Sequence, residues 1–492
     1  MFTSAELEET LQDLIEKHDV PGAQLAVLDG GELVEAAAGV LSLRTRWPVT
    51  TDALFLPGSI GKLYTATLAM MLVGTGELDL DVPIRRYLPG FRVRDAHARD
   101  VVTARHLLSH VSGFDGDRFT DTGRGADALW RYVSGCADLP QIAAPGKIWS
   151  YSNSGYAILG RIVEVLTGQA FEDVLRERIF EPLELQHTVS FADEAIVHPV
   201  SVGHIPDPKD PSTLIVSPTW TMARAFGPMG IAVIASASDV LRFTGAHLEH
   251  LDNGKPRLLD ASLVEAMQRE QVRLVDDSLL GEAWGLGWIL DHWGDIAIIG
   301  HDGNSLGQNA FMRLAPAEGF GFCLQTNVES ALNLYRELAA WLFGKRLGVG
   351  PRPDPAALPH ASVDHPGRYV DRYEREGLII DVNADDGATL RATVEPTHAV
   401  AESQGWPPMA NLPLQPVARE DSFMLKLPIA DADLLAVFFN PTGPAPNRRT
   451  STTAGGRTDA SAAKDQRPLG ANAPRIHSAP RRFGNATPPP VT

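Results

Sequence analysis

Cysteine is nearly missing: 492 residues hold two, Cys136 and Cys323, each in an apolar stretch. So few exclude a disulfide framework and a thiolate metal site. Positive charge is short as well, 43 Lys and Arg against 61 Asp and Glu, for a formal net charge of −18. A chain this acidic is poorly suited to nucleic acid or an anionic membrane as its main partner. No run reaches about 18 apolar residues, the length a membrane-spanning helix needs. The opening MFTSAELEETLQDLIEKHDV has neither the basic start nor the apolar run of a secretory signal, so the expected compartment is the cytoplasm.

What is present is globular in kind. The chain is 44% apolar and 21% charged, enough to bury a sizeable core, and its length suggests two or three domains. Residues 5–17 have the spacing of an amphipathic helix, with Leu7, Leu11, Leu14 and Ile15 on one face. GAQLAVLDGGELVEAAAGV reads as a hairpin turning at Asp29-Gly30-Gly31. Helical patterns dominate from 60 to about 190, strand-like runs return at 285–301 and 308–326, and a helix follows at 329–346. A sheet drawn from both ends of a segment, with helices from its middle, predicts an α+β domain over 1–347. GVGPRPDPAALPH makes 348–361 a Pro-rich linker, and short strand patterns predict a small β domain at 362–440. Residues 441–492 are rich in Pro, Gly, Ser, Thr and Arg, a composition expected to be a disordered, solvated tail.

The chemistry-bearing candidates begin with PGSIGKLY at 57–64, where Ser59 and Lys62 lie three apart at the start of a helical pattern. A serine hydroxyl becomes a useful nucleophile when a base takes its proton, and a lysine in a dry setting can be that base. Alone, the pair reads better as a helix cap beside a surface lysine. Tyr151, in SYSNSGY, can shuttle a proton if an ammonium stabilises its phenolate, or it can be packing in a turn. Gly303-Asn304-Ser305-Leu306-Gly307 spells G-x-S-x-G, but a nucleophile elbow needs a strand followed by a helix, and QNAFMRLA reads as a strand. Ser305 is therefore expected in a turn. His106 and His110, four apart in RHLLSH, have no third ligand nearby, so no metal is expected.

Four ordered blocks join these candidates. FLPGSIGKLYTATLAMMLVGTGELDLDVPIRRYLPGF, RHLLSHVSGF, PGKIWSYSNSGYAILGRIVEVLTG and IFEPLELQHT together resemble the serine β-lactamase-like superfamily over roughly residues 5–345. That superfamily comprises class C β-lactamases, low-molecular-weight penicillin-binding proteins, D-aminopeptidases and family VIII esterases. The resemblance implies a β-lactamase/DD-peptidase-like antiparallel sheet flanked by helices, with a helical subdomain. It implies Ser59 as nucleophile, Lys62 and Tyr151 as proton carriers, and Asn153 as hydrogen-bonding partner of Lys62 and of the substrate's acyl-side amide. His301-Asp302-Gly303 stands where members carry K-T-G or H-x-G. There Gly303 would let a substrate lie along the strand, and His301 would donate a hydrogen bond or carry part-time charge. The N–H groups of Ser59 and Asn304 would form the oxyanion hole. Gly227-Pro228-Met229-Gly230 is expected as a pocket-edge loop before a helix capped near Ser238.

Exchanging Lys and Thr for His301 and Asp302 removes a permanent cation and adds an anion, which disfavours a penicillin's carboxylate. Expected substrates are a small carboxylic ester, then a D-amino acid amide or short peptide with an amino group for Asp302, then a β-lactam. No cofactor is implied. Acyl transfer to an acceptor other than water, a catalytically silent ligand-binding homologue and a homo-oligomer all stay open. The small β domain resembles the lipocalin-like barrels appended to some D-aminopeptidase-type members.

Overall fold

The computed structural model describes residues 1–116, 118–207, 209–248, 257–275, 280–353, 356–358, 362–375, 378–385, 389–396, 408–418, 421–426, 433–439 and 475–477. Helix α1 (Ser4–Lys17) starts where Thr3 Oγ1 accepts the Glu6 N–H at 3.3 Å, and it buries Leu7, Leu11, Leu14 and Ile15. Strands β1 (Gly22–Asp29) and β2 (Glu32–Gly39) are joined by Gly30 and Gly31, both at positive φ, as a two-residue hairpin turn requires. Helix α2 (Gly61–Gly74) is mostly apolar and is buried from Gly61 to Met70 with Lys62 among its buried residues, and α3 (Asn153–Thr167) packs against it.

After the helical region come the short strands β3 (Val272–Arg273) and β4 (Ala283–Trp284). β5 (Ile289–Trp293), β6 (Ile296–Ser305), β7 (Gln308–Ala315) and β8 (Phe320–Thr326) follow, and then helix α4 (Leu332–Leu347). The eight strands make one antiparallel sheet in the order β2-β1-β8-β7-β6-β5-β4-β3.

β7 and β8 are buried along their whole length, so the sheet is covered on both faces. Side chains alternate between those faces. Phe311, Phe322 and Leu324 pack with α1 and with Leu334, Leu338 and Phe343 of α4. Ala310, Met312 and Cys323 pack with α2, α3 and the rest of the helical half. This alternation decides which residues of β6 face the helical half.

The linker does not hang free. Arg352 pairs with Asp291 of β5 at 2.8 Å, and the Leu358 N–H donates to the Pro416 carbonyl at 2.7 Å. The C-terminal domain is a curled antiparallel meander of seven strands, from Asp371–Arg375 through Asp433–Phe439 to Arg475–His477. Its core holds Val382, Leu390, Val394, Leu414 and Phe423, and its Val417 and Met424 pack with Val275, just beyond β3. Arg475–His477, within the stretch expected to be a disordered tail, pairs antiparallel with Asp433–Phe439. The rest of 441–492 lies outside the described residues.

Candidate active site

Ser59 lies in a tight turn, Gly58–Ile60, directly before α2. The turn is pressed against β6. Gly58 adopts φ +55°, and a Cβ there would stand 2.8 Å from the Asn304 backbone nitrogen. A Cβ on Gly303 would stand 1.8 Å from the Pro57 carbonyl oxygen. The glycine of the H-x-G triplet therefore makes room for the serine turn itself, a different use from the substrate clearance expected of it. Ser59 caps nothing: the residue preceding α2 is Ile60, which makes no side-chain cap bond. Instead Lys62 Nζ donates to Ser59 Oγ at 2.9 Å, one helical turn along.

Lys62 is wholly buried and Ser59 nearly so. Its Nζ also donates to the Met229 carbonyl at 2.5 Å, and it stands 5.0 Å from the ring centre of Tyr151 and 5.8 Å from that of Tyr156. A buried cation needs such partners, because desolvation unopposed would drive the proton off. The Met229 carbonyl is held by the Arg224–Met229 turn. That turn is tied to α2 through the Thr65 hydroxyl donating to the Pro228 carbonyl at 2.8 Å, and it is anchored by Arg224 on Glu172 at 3.0 Å. The G-P-M-G segment thus clamps the lysine. A backbone carbonyl leaves no mark in side-chain pattern, and the role was not legible. The following helix, Ala237–Gly245, is capped two residues before Ser238, by Ser236, whose Oγ accepts the Asp239 N–H at 3.2 Å.

Tyr151 reaches the same place from the turn before α3. Ser152 caps that helix by accepting the Gly155 N–H at 3.1 Å, and Asn153, its first residue, is buried. The Tyr151 ring lies within a nest of rings: His110 at 4.3 Å, Trp284 at 6.0 Å and Trp149 at 6.3 Å. His106 and His110 each spend Nδ1 on a backbone N–H, of Thr103 at 3.2 Å and of Ser152 at 3.0 Å, as local structural groups. Among the described residues no cluster of three metal-ligating side chains occurs.

On β6, His301 is paired across the ladder with Met312 and Asp302 with Phe311, so the two point to opposite faces. His301 faces Tyr151 and Trp284. Its Nδ1 lies 2.6 Å from the Asp302 carbonyl oxygen, which places the proton on Nδ1 and leaves Nε2 an acceptor. Burial, reinforced by the Lys62 charge, pushes its pKa down to about 3. The part-time positive charge expected of His301 is therefore absent near neutrality. Asp302 faces α4 and binds Arg313 through both oxygens, at 2.6 and 3.2 Å, with the guanidinium 5.2 Å from the Tyr335 ring centre. Asp302 was expected to greet a substrate amine; the structure commits it to Arg313. Asn304 donates through Nδ2 to Asn309 Oδ1 at 2.9 Å. Ser305 ends β6, and Leu306 and Gly307, both at positive φ, turn the chain directly into β7. The G-x-S-x-G is a hairpin.

Lys62 thus lies between Ser59, which it hydrogen-bonds, and the half-buried Tyr151 ring, with the Asn304 backbone against the serine turn and His301 facing Tyr151. The comparisons with known proteins agree with this architecture. Penicillin-binding protein 4 of Amycolatopsis lactamdurans is 41% identical over 388 residues, covering 76% of this chain and 99% of that protein. Esterase EstB of Burkholderia gladioli is 29% identical over 317 residues, covering 58% of this chain and 79% of its own. The crystal structure of SurE with D-Leu superposes with a TM-score of 0.70 at 26% identity, covering 90% of this chain and 96% of that one. A family profile described as beta-lactamase matches residues 7–343, the whole of the large sheet and its helices, and the chain belongs to the beta-lactamase family.

Proposed function

We propose that this chain is a serine hydrolase that is acylated on Ser59 and cleaves a small carboxylic ester or the amide or peptide bond of a D-amino acid. The observation that carries the reading is the wholly buried Lys62, with Nζ 2.9 Å from Ser59 Oγ. Ser59 Oγ attacks the substrate carbonyl and gives up its proton to Tyr151, held as phenolate by the neighbouring Lys62 ammonium. The same pair returns a proton to the departing alcohol or amine. Water then attacks the ester on Ser59 and frees the acid. The backbone N–H groups of Ser59 and Asn304 stabilise the oxyanion, a role favoured by the close approach of β6 to the serine turn. Asn153, at the start of α3, holds the acyl-side amide.

Substrate preference follows from what β6 offers. Neutral His301 and an Asp302 spent on Arg313 give the strand no permanent cation for a drug carboxylate. Esters and D-amino acid amides therefore rank above β-lactams, in keeping with an esterase among the relatives and D-Leu in the SurE crystal. The test is labelling by a fluorophosphonate, with Ser59→Ala as control, beside rates on a short-chain ester, a D-alanyl amide and nitrocefin. The expected result is a label that vanishes in the variant and turnover of the first two. A wild-type protein that takes no label and turns over none of the three overturns the hydrolase reading, and a clear preference for nitrocefin overturns the ranking.

A further inference from the structure

His110 belongs to none of the roles assigned above, yet it is built into the site more tightly than any other imidazole near it. It is fully buried and sits at φ +56°, a left-handed conformation that is strained for a non-glycine residue. Its own carbonyl accepts the Ser150 N–H at 2.8 Å, and its ring Nδ1 accepts the Ser152 N–H at 3.0 Å. The two bonds bracket Tyr151 on both sides in sequence. Between them the imidazole lies nearly parallel to the phenol ring, centroids 4.3 Å apart at 28°. The same phenol ring has Lys62 Nζ 5.0 Å from its centre.

The chemistry of the ring is fixed by these contacts. Because Nδ1 accepts, the proton of the neutral imidazole is on Nε2. Burial among Trp284, Tyr156 and Trp149, with centroids 5.0, 5.1 and 6.1 Å away, opposes protonation. The nearby charge of Lys62 acts in the same direction. A doubly protonated ring would lose the Ser152 bond and bring a second cation to the Tyr151 ring.

We propose that His110 is a positioning residue for Tyr151: a neutral imidazole that clamps the 150–152 turn and stacks beneath the phenol, setting its hydroxyl against Lys62 and Ser59. The role rests on the reading of Tyr151 as a proton carrier. A phenol displaced by about 1 Å loses on the order of 100-fold in rate. An Asn side-chain oxygen can stand where Nδ1 stands and accept the Ser152 N–H, and Asn tolerates positive φ. A Gln places its amide one bond farther, beyond that donor.

The test compares wild type, His110→Gln and His110→Asn on a short-chain ester, with kcat and KM measured separately, melting temperature for each, and the fluorophosphonate labelling rate. The expected result is a kcat in His110→Gln lower by about 100-fold with KM within about threefold, and recovery to within about tenfold in His110→Asn. Labelling should slow in parallel. Losses of activity that follow melting temperature equally in both variants would overturn the positioning role, as would a His110→Gln enzyme as fast as wild type. A wild type that neither labels nor turns over is a different failure, that of the hydrolase reading itself.

Discussion

His301 and Asp302 are adjacent in sequence and belong to different parts of the molecule. On one face of the sheet, His301 joins Tyr151, Trp284 and the buried Lys62, the side of the proposed active site. On the other face, Asp302 and Arg313 form an ion pair beside Tyr335 of α4, where polar groups are paired for stability. The difference teaches that a strand motif cannot be read as a string: its period of two splits one signature into a functional half and a structural half.

The strongest way to break the comparison is on the structural face. Arg313 is buried, and removing it leaves the Asp302 carboxylate with a much poorer partner set. Arg313→Met should lower unfolding free energy by about 3–5 kcal/mol, the range for breaking a buried pair. Asp302→Asn added to it should restore part of that loss. Per folded molecule, ester turnover should stay within a few-fold of wild type in both. Denaturant unfolding together with active-site titration measures this; a turnover defect that persists in correctly folded protein would place Asp302 back in the pocket.

Gly303 lies on the same face as His301, against the Ser59 turn, and sharpens the distinction. A methyl group at position 303 would stand 1.8 Å from the Pro57 carbonyl oxygen, so Gly303→Ala must push the Ser59 turn off β6. The expected outcome is a loss of about 100-fold in both kcat and fluorophosphonate labelling, with KM little changed. If the glycine instead serves substrate clearance, KM rises while labelling by a small phosphonate stays fast.

Much of this was legible beforehand. Leu7, Leu11, Leu14 and Ile15 announced α1, and Gly30-Gly31 announced the hairpin, because periodicity and turn chemistry are local signals. That Lys62 would stand beside Ser59 and Tyr151 was legible through ordered blocks that resemble a family, not through spacing alone. What escaped was non-local. The Met229 carbonyl on Lys62 is a backbone group 167 positions away, and Arg313 meets Asp302 only through strand register. His110 entered the reading only beside His106, as a pair without a third ligand, since its sequence shows neither its ring stacking nor its left-handed backbone.

The smallest effect expected is with pH. His301 is held neutral in the folded chain, its pKa pushed down to about 3 by burial and by the Lys62 charge, whereas an unfolded histidine titrates near 6.5. Between those values the unfolded state binds the proton that the folded state refuses, so stability falls as pH drops from 6.5 toward 3 and is unaffected above 6.5. Each such site contributes a slope of about 1.4 kcal/mol per pH unit. His110, also lowered by burial and by Lys62, acts with the same sign. Arg313 on the opposite face stays charged throughout and adds nothing to this slope. Denaturant unfolding at pH 7.5, 6 and 5 should show the decline, and His301→Gln should flatten it by up to one site's worth. An unchanged slope in that variant would mean that His301 titrates normally, and that the face holding Ser59 is wetter than its burial implies.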